Sequence, residues 1–491
     1  MGIILNQSAK NLATTYLGFG IGAINTLFLY TNFLEKEYYG LVSFLLSAAN
    51  LVWPLMAFGV HNTLVKFYSA YGSRKERDKF LGLVLVLPLF IALVIGGLGA
   101  IVYESILGYF SEGNVLVQKY VWLIFVISVA TAYFEVFFSW SKVNYQSVFG
   151  NFMKEVFHRV CVSLLLLGVY FEWLTVEEFI YGVSLVFVLR AVIMKWYSLS
   201  LYLPKFSFSF PSNTSSVLKY SGLILLAGSV AMVLLDLDKV MIEHFLPIEN
   251  VAVYGIGIYI ASVIAVPSRA MHQITNPLTA LLLSKKDREG LRDLYKKSSI
   301  NLLVISGFIF LLIVSNLRDL YEFIPDEYDL DFSVILLIAS VKLYDNLLGN
   351  NNSILFNSDY YRWVLAIGVM LAVIAFILNA VLIPEFGLIG AAVATFLAFA
   401  VYNTIKLVLV YVKFRIHPFT KRSWEGLFCI LIFFFTFYFW NFPFHPIVNI
   451  LLKTLMIAVL YFLAIYFLKL SKDINMLVMR ILKGGAKMKR K

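Results

Sequence analysis

Runs of roughly twenty apolar residues recur along the whole chain, separated by short polar loops. A bilayer's hydrocarbon core is about 30 Å thick, and a helix crosses it in about 20 residues. Lipid offers the backbone no hydrogen-bond partners, so each run must satisfy its own N–H and C=O groups, and a helix does so. Fourteen such segments are legible, at about 8–31, 38–61, 80–104, 117–140, 153–171, 176–199, 217–241, 250–273, 296–316, 330–349, 361–383, 387–411, 424–440 and 447–469. An outer-membrane barrel would show short alternating strands instead. The composition agrees: 60% of the 491 residues are hydrophobic and 14% charged, and the mean hydropathy is +0.83. The charged share of a soluble globule is about a quarter. The sequence therefore predicts an all-α polytopic membrane protein. The first segment is long, has no small-residue cleavage site and is followed by further spans, so it reads as a span and not as a signal peptide.

Loop charges orient the spans. KFYSAYGSRKERDK from Lys66, SKKDREGLRDLYKK from Ser284, KFRIHPFTKR from Lys413 and the tail from Lys469 are basic. The intervening loops are poor in Lys and Arg, and FEWLTVEE and NLRDLYEFIPDEYDLD are acidic. Basic loops mark the cytoplasmic side. The alternation predicts both termini in the cytoplasm and a bacterial inner-membrane location. The net charge of +11 belongs to these loops, so no nucleic-acid partner follows from it. Cys161 and Cys429 both lie in apolar surroundings and give neither a disulfide framework nor a metal site.

Two stretches about two hundred residues apart resemble each other. In QSVFGNFMKEVF from Gln146 and NSILFNSDYYRW from Asn352, Ser147 matches Ser353 and Asn151 matches Asn357. The large basic loops after the second and eighth spans also occupy equivalent places. These correspondences predict a parallel repeat: an N-terminal lobe at 1–205 with spans 1–6, a C-terminal lobe at 206–418 with spans 7–12, two extra helices at 419–470 and a basic tail at 471–491. Two lobes around a shared centre suit alternating access. No selectivity-filter sequence and no Walker sequence is present, so neither a channel nor an ATPase is expected. The glycines Gly18, Gly20 and Gly22 permit close helix packing, and Pro54, Pro88 and Pro267 mark kinks or hinges.

Three segments carry a family resemblance. They are SAKNLATTYLGFGIGAINTLFLYTNFLEKEYYGLVSFLLS from Ser8, LLDLDKVMIEHFLPIENVAVYGIGIYIA from Leu234 and PEFGLIGAAVATFLAFAVYNTIK from Pro384. With the fourteen-span plan, the chain resembles the bacterial polysaccharide exporters, the O-antigen and capsule flippases. These belong to the superfamily of multidrug and lipid-linked precursor exporters. The chain departs from the family pattern at Lys239, where Arg is common, and at Tyr254-Gly255, which reverses the usual Gly-Tyr order. The resemblance implies transport of a polyprenyl-pyrophosphate-linked oligosaccharide, with membrane lipids and polysaccharide assembly machinery as further partners. It implies no enzyme chemistry and no cofactor, with coupling to Na+ or H+.

Moving a polar head through hydrocarbon strips it of water partners, so such a chain needs a hydrated cavity with cations for phosphate and amides for sugar hydroxyls. The candidate substrate-binding residues are Asn25, Lys66, Asn144, Arg159, Lys239 and Arg269, with Lys142, Arg190 and Arg362 as further cations. Each has a structural alternative: snorkelling for the cations and interhelical hydrogen bonding for Asn25. The candidate coupling residues are Asp236, Asp238 and Glu243, because intramembrane acids are costly unless used. Helical spacing puts Asp236, Lys239 and Glu243 on one stripe and Asp238 off it. Trp53, Tyr133, Trp140, Tyr254 and Tyr259 line a sugar path or serve packing, and Asn350–Asn352 read as a loop. Two other functions fit a polytopic chain: an ion-coupled multidrug-type antiporter, and a membrane glycosyltransferase or polysaccharide ligase. The second needs an extracytoplasmic domain larger than these loops provide.

Overall fold

The computed structural model describes residues 2–105, 108, 115–205, 209–471 and 473–476, and among them all regular structure is helical. Among the described residues eight helical stretches are long and apolar enough to cross a bilayer: Lys10–Phe33, Lys36–Ala57, Arg74–Ile101, Trp122–Val143, Glu249–Ser284, Arg288–Tyr321, Arg362–Phe414 and Pro446–Leu468. The helices Val176–Leu201, Thr214–Phe245, Phe332–Leu347 and Lys421–Tyr438 also form where apolar runs were read. Local signals start several of them. Thr175 and Glu178 make a reciprocal capping box ahead of Val176, and Ser73, Asp287 and Asp331 accept from backbone N–H groups of the first turns they precede.

The structure departs from the expected second span. The segment around Pro54 continues as helix to Ala57, breaks at Phe58 and Gly59, both with positive φ, and resumes over Val60–Phe67. His61 and Lys66 therefore lie on a second short helix and not at the end of the first. Gly59 is required there, because a Cβ would run into the Ser221 carbonyl of a neighbouring helix. At Pro384–Gly387 the expected turn between two spans is present. Tyr361–Phe414 comprises two helices that meet at Gly387, whose φ of 57° and ψ of −135° are non-helical. The chain folds back there, because a Cβ on Gly390 would run into the Leu382 carbonyl.

The chain divides into two compact units. The first comprises Met1–Ile256 with Gly368–Ala391, and the second Gly257–Ile367 with Ala392–Lys491. In the first, small residues let helices close on each other: Ser128 donates to the Ala49 carbonyl at 3.3 Å, and Ala57, Ala92 and Ala132 pack with Trp53 and Met56. In the second, Leu291, Tyr295, Ile354, Leu355, Val364, Val410 and Ile416 form one core cluster. The last helix of the second unit is held by polar contacts as well. Lys453 Nζ donates to Asp319 at 2.8 Å and to Asn441 at 2.6 Å, and Tyr461 Oη donates to the Val304 carbonyl at 3.1 Å.

Candidate functional site

The first unit gathers ionisable side chains from four helices. Trp122–Val143 supplies Glu135 and Lys142, which are two turns apart and so share a face. Val60–Phe67 supplies His61, and Val176–Leu201 supplies Arg190. The fourth helix, Val148–Tyr170, is interrupted by a π-helical turn at Met153–Phe157, which carries Lys154 and Glu155 just ahead of His158 and Arg159. A π turn inserts one residue and re-aims the side chains around it, and such turns recur at functional sites.

Lys154 Nζ donates to Glu135 at 2.6 Å, and Glu135 is 7% exposed. Lys142 and His61 lie within electrostatic reach of the same carboxylate. The Lys142 ammonium sits 3.7 Å from the Phe138 ring centroid, enclosed by protein mass yet solvent-accessible, as a cavity-lining cation would be. Arg190 is buried between the Phe134 and Phe187 rings, at 4.3 and 4.6 Å, and its Nε has no hydrogen-bond partner. Arg159 pairs with Glu155 at 3.2 Å and stays partly exposed. Four cations, Lys142, Lys154, Arg159 and Arg190, thus face two carboxylates, Glu135 and Glu155. The excess of positive charge inside a helix bundle suits an anion.

The sequence-derived candidates are placed unevenly around this group. Arg159 belongs to it. Asn144 is at its edge, with its amide turned back to the Trp140 carbonyl at 2.9 Å. Asn25 is 4% exposed and serves packing: its Nδ2 donates to the Arg159 carbonyl at 2.9 Å, and its Oδ1 accepts from Ser163 at 2.6 Å. It opens a second π turn, Asn25–Leu29, and thereby braces the helix that carries Arg159. Lys66 is exposed and lies 3.9 Å from the Tyr220 ring centroid. Arg269 is an exposed residue of the second unit and is not part of the group.

The acidic stretch after Leu235 splits by depth. Asp236 bonds to the side chains of Ser47 and Asn50, with Lys239 near it. Asp238, which helical spacing set apart from the stripe, is 2% exposed; it accepts from Tyr254 Oη at 2.9 Å and from Asn379 Nδ2 at 2.8 Å. Asn379 is fully enclosed, and its Oδ1 has no partner. Glu243 is 2% exposed. Of the aromatic candidates, Tyr254 and Trp140 have no exposed surface, which agrees with the packing alternative.

The second unit holds its own polar interior. Asn350–Asn352 were read as a loop; Asn350 and Asn351 are instead buried at the start of a helix. Asn350 donates to Thr279 at 2.9 Å, Asn351 donates to Tyr295 at 2.8 Å, and Asn352 accepts from Lys406 at 2.9 Å. Ser353 is bonded to Asn276. Lys406 is 1% exposed, with Asp345 3.6 Å away and His272 nearby. Sequence reasoning missed Glu135, Lys154, Asn379 and Lys406. Glu135 in TAYFEVFFSW and Asn379 in AFILNAVLI are lone polar residues in apolar runs, and that isolation was the available signal; Lys154 and Lys406 have polar neighbours in sequence and gave no such signal.

No protein-family model matches the chain, and no curated protein matches it. Solved structures do share its fold. The structure of the lipid II flippase MurJ in an inward closed conformation aligns with a TM-score of 0.67 at 14% identity, covering 91% of this chain and 97% of that one. A multidrug resistance MATE family transporter of the MOP superfamily, facing inward, aligns with a TM-score of 0.58 at 14% identity over 84% and 95%. A MOP superfamily transporter from Pyrococcus furiosus, described as having a binding pocket of reverse polarity that suggests a different function, aligns at 0.54 and 11% over 84% and 96%. At these identities the likeness establishes the fold.

Proposed function

We propose that this chain is a transporter that moves a lipid-linked oligosaccharide from the cytoplasmic to the periplasmic leaflet by alternating access, for surface polysaccharide biosynthesis. The observation that carries this reading is the net-positive group of Lys142, Lys154, Arg159 and Arg190 gathered in the first unit, of which Arg190 is buried and the other three reach solvent. A polyprenyl pyrophosphate is the anion it suits. Lys142 and Lys154 would act as point charges on phosphate oxygens, while the planar Arg190 guanidinium, held between two rings, would present a fixed donor fork. Glu135 lowers the cost of burying these cations when no cargo is bound. The fold shared with a lipid II flippase agrees with such a cargo.

In this reading the chain has fourteen spans, the lobes 1–205 and 206–418 rock about the cargo, and both termini are cytoplasmic in an inner membrane. No bond is made or broken. Asp238 is the strongest coupling candidate among Asp236, Asp238 and Glu243. Its carboxylate is enclosed with the Tyr254 hydroxyl and the unsatisfied Asn379 oxygen, which together offer oxygen donors to Na+ or a site for H+. The small-molecule antiporter reading shares the fold, but a cationic drug would meet the wrong sign of charge in the first unit.

The test is translocation in proteoliposomes of a polyprenyl-pyrophosphate-linked oligosaccharide. Lys142→Gln, at an accessible site that leaves packing intact, lowers the rate at least tenfold, and Arg190→Lys does so because a lysine lacks the planar fork. Glycan extension without leaflet transfer, or export of a cationic dye unaffected by these changes, would overturn the reading.

A further inference from the structure

The second unit contains a cavity of about 810 Å³, far from the basic group in sequence and formed where Arg288–Tyr321 ends, Phe332–Leu347 begins and Lys421–Tyr438 ends. Its volume lies within the range of about 300–1,000 Å³ typical of small-molecule sites. The loop charges assign this end of the helices to the extracytoplasmic side. Tyr328, with no exposed surface, and Leu330, at 7%, pin the connecting segment Phe323–Asp331 against the unit, so the cavity wall is packed in place.

Three kinds of group line it. Tyr321, Phe332, Tyr438 and Phe439 supply ring faces, and Phe439 is 74% exposed. Glu322, Asp326, Asp329 and Asp331 oppose a single Arg318, so the lining carries three more negative than positive charges. Glu322 and Asp326 are exposed and make no ion pair among the described residues. The third kind is neutral. Ser315 is 4% exposed, and its hydroxyl has no partner; the Tyr321 hydroxyl is likewise enclosed and unpartnered. Asn441 is oriented by Lys453, which takes its Oδ1 at 2.6 Å and leaves the amide nitrogen to donate.

An interfacial aromatic belt would turn the Tyr321 hydroxyl to water, whereas here it is enclosed with no acceptor. A divalent cation would need convergent ligands, and among the described residues no three His, Cys, Asp or Glu side chains group to hold one. Spread carboxylates, ring faces and buried hydroxyls that lack partners together suit a ligand with C–H faces and many hydroxyls. The negative excess sets its charge.

We propose that this cavity is a saccharide site that takes neutral or amine-bearing sugar units and rejects uronic acids. Tyr321 and Phe439 stack on the ring faces, Ser315 and Asn441 bond hydroxyls, and Glu322 with Asp326 selects an ammonium. That its occupant is the glycan head of the cargo, on the outer side of the membrane, rests on the transport reading above.

The test uses the full chain in phosphatidylcholine nanodiscs and three free probes: the disaccharides of glucosamine, of N-acetylglucosamine, and of glucuronate with N-acetylglucosamine. Calorimetry or saturation-transfer NMR reads binding. The glucosamine probe binds best and the glucuronate probe not at all. Glu322→Gln with Asp326→Asn, both exposed and tolerated by the fold, removes at least tenfold of the preference for the amine, and Phe439→Ala weakens both binding probes at least tenfold. Unchanged binding in these variants, or equal binding of the acidic probe, overturns the site. Wild-type translocation of lipid-linked cargo with no probe bound overturns it too and leaves the transport reading standing. Probe binding without translocation overturns the transport reading and leaves the saccharide site.

Discussion

Gly18 shows how much a single position determines in the basic group of the first unit. A Cβ there would lie 2.5 Å from the Glu155 carbonyl oxygen and 2.7 Å from Arg159 Nη1, so the absence of a side chain lets the first helix reach the π turn that carries Glu155 and the turn after it that carries Arg159. Gly18→Ala should destabilise the protein by about 1–3 kcal/mol, the usual cost of overpacking, and should lower cargo affinity by displacing Arg159. Thermal unfolding in detergent checks the first effect, and phosphate-dependent binding the second. The sequence marked Gly18 as a packing glycine and Arg159 as a cation, and proximity ties the two together. Asn25 was equally legible as polar, but its role was not. Only the fold reveals that both ends of its amide are taken by Arg159 and Ser163.

Helix existence and the turn at Gly387 were readable from hydrophobic run length, while the break at Phe58–Gly59 was decided by backbone conformation. Gly387 has a positive φ, yet a Cβ there would touch nothing within 4 Å. The requirement for glycine is therefore one of backbone torsion and not of space. Gly387→Ala should cost about 1–3 kcal/mol by straining the turn between the two helices, and thermal unfolding checks it. A second prediction concerns the last helix. Lys453 and Asp319 are 1% and 5% exposed in their side chains and bonded at 2.8 Å. Lys453→Ala would leave a buried carboxylate without its cation, a loss of about 3–5 kcal/mol. The double change Lys453→Met with Asp319→Leu should recover most of that loss, because an apolar pair of similar size avoids burying charge. Lys453 and Asp319 are 134 residues apart, and no local pattern announces their pairing.

For the whole molecule, the coupling prediction falls on Asp238. Asp238→Asn keeps the shape and retains a hydrogen bond with Tyr254, so folding should survive. Transport should fall at least tenfold and cease to respond to an imposed Na+ or H+ gradient, and proteoliposome flux with and without the gradient checks both outcomes. Helical counting had set Asp238 apart from the stripe of Asp236, Lys239 and Glu243. Packing explains why it differs from them: it is enclosed with Tyr254 and with Asn379, which is 141 residues away in sequence. By itself the sequence determined the solvent and the element type, because apolar run length against bilayer thickness permits only helices. The tertiary structure decided which polar residues meet. Glu135 and Lys154, Lys406 and Asn352, and the rings around the acidic cavity come from different helices. Their contacts follow from helix rotation, π turns and a glycine bend, and hydrophobic periodicity does not encode these.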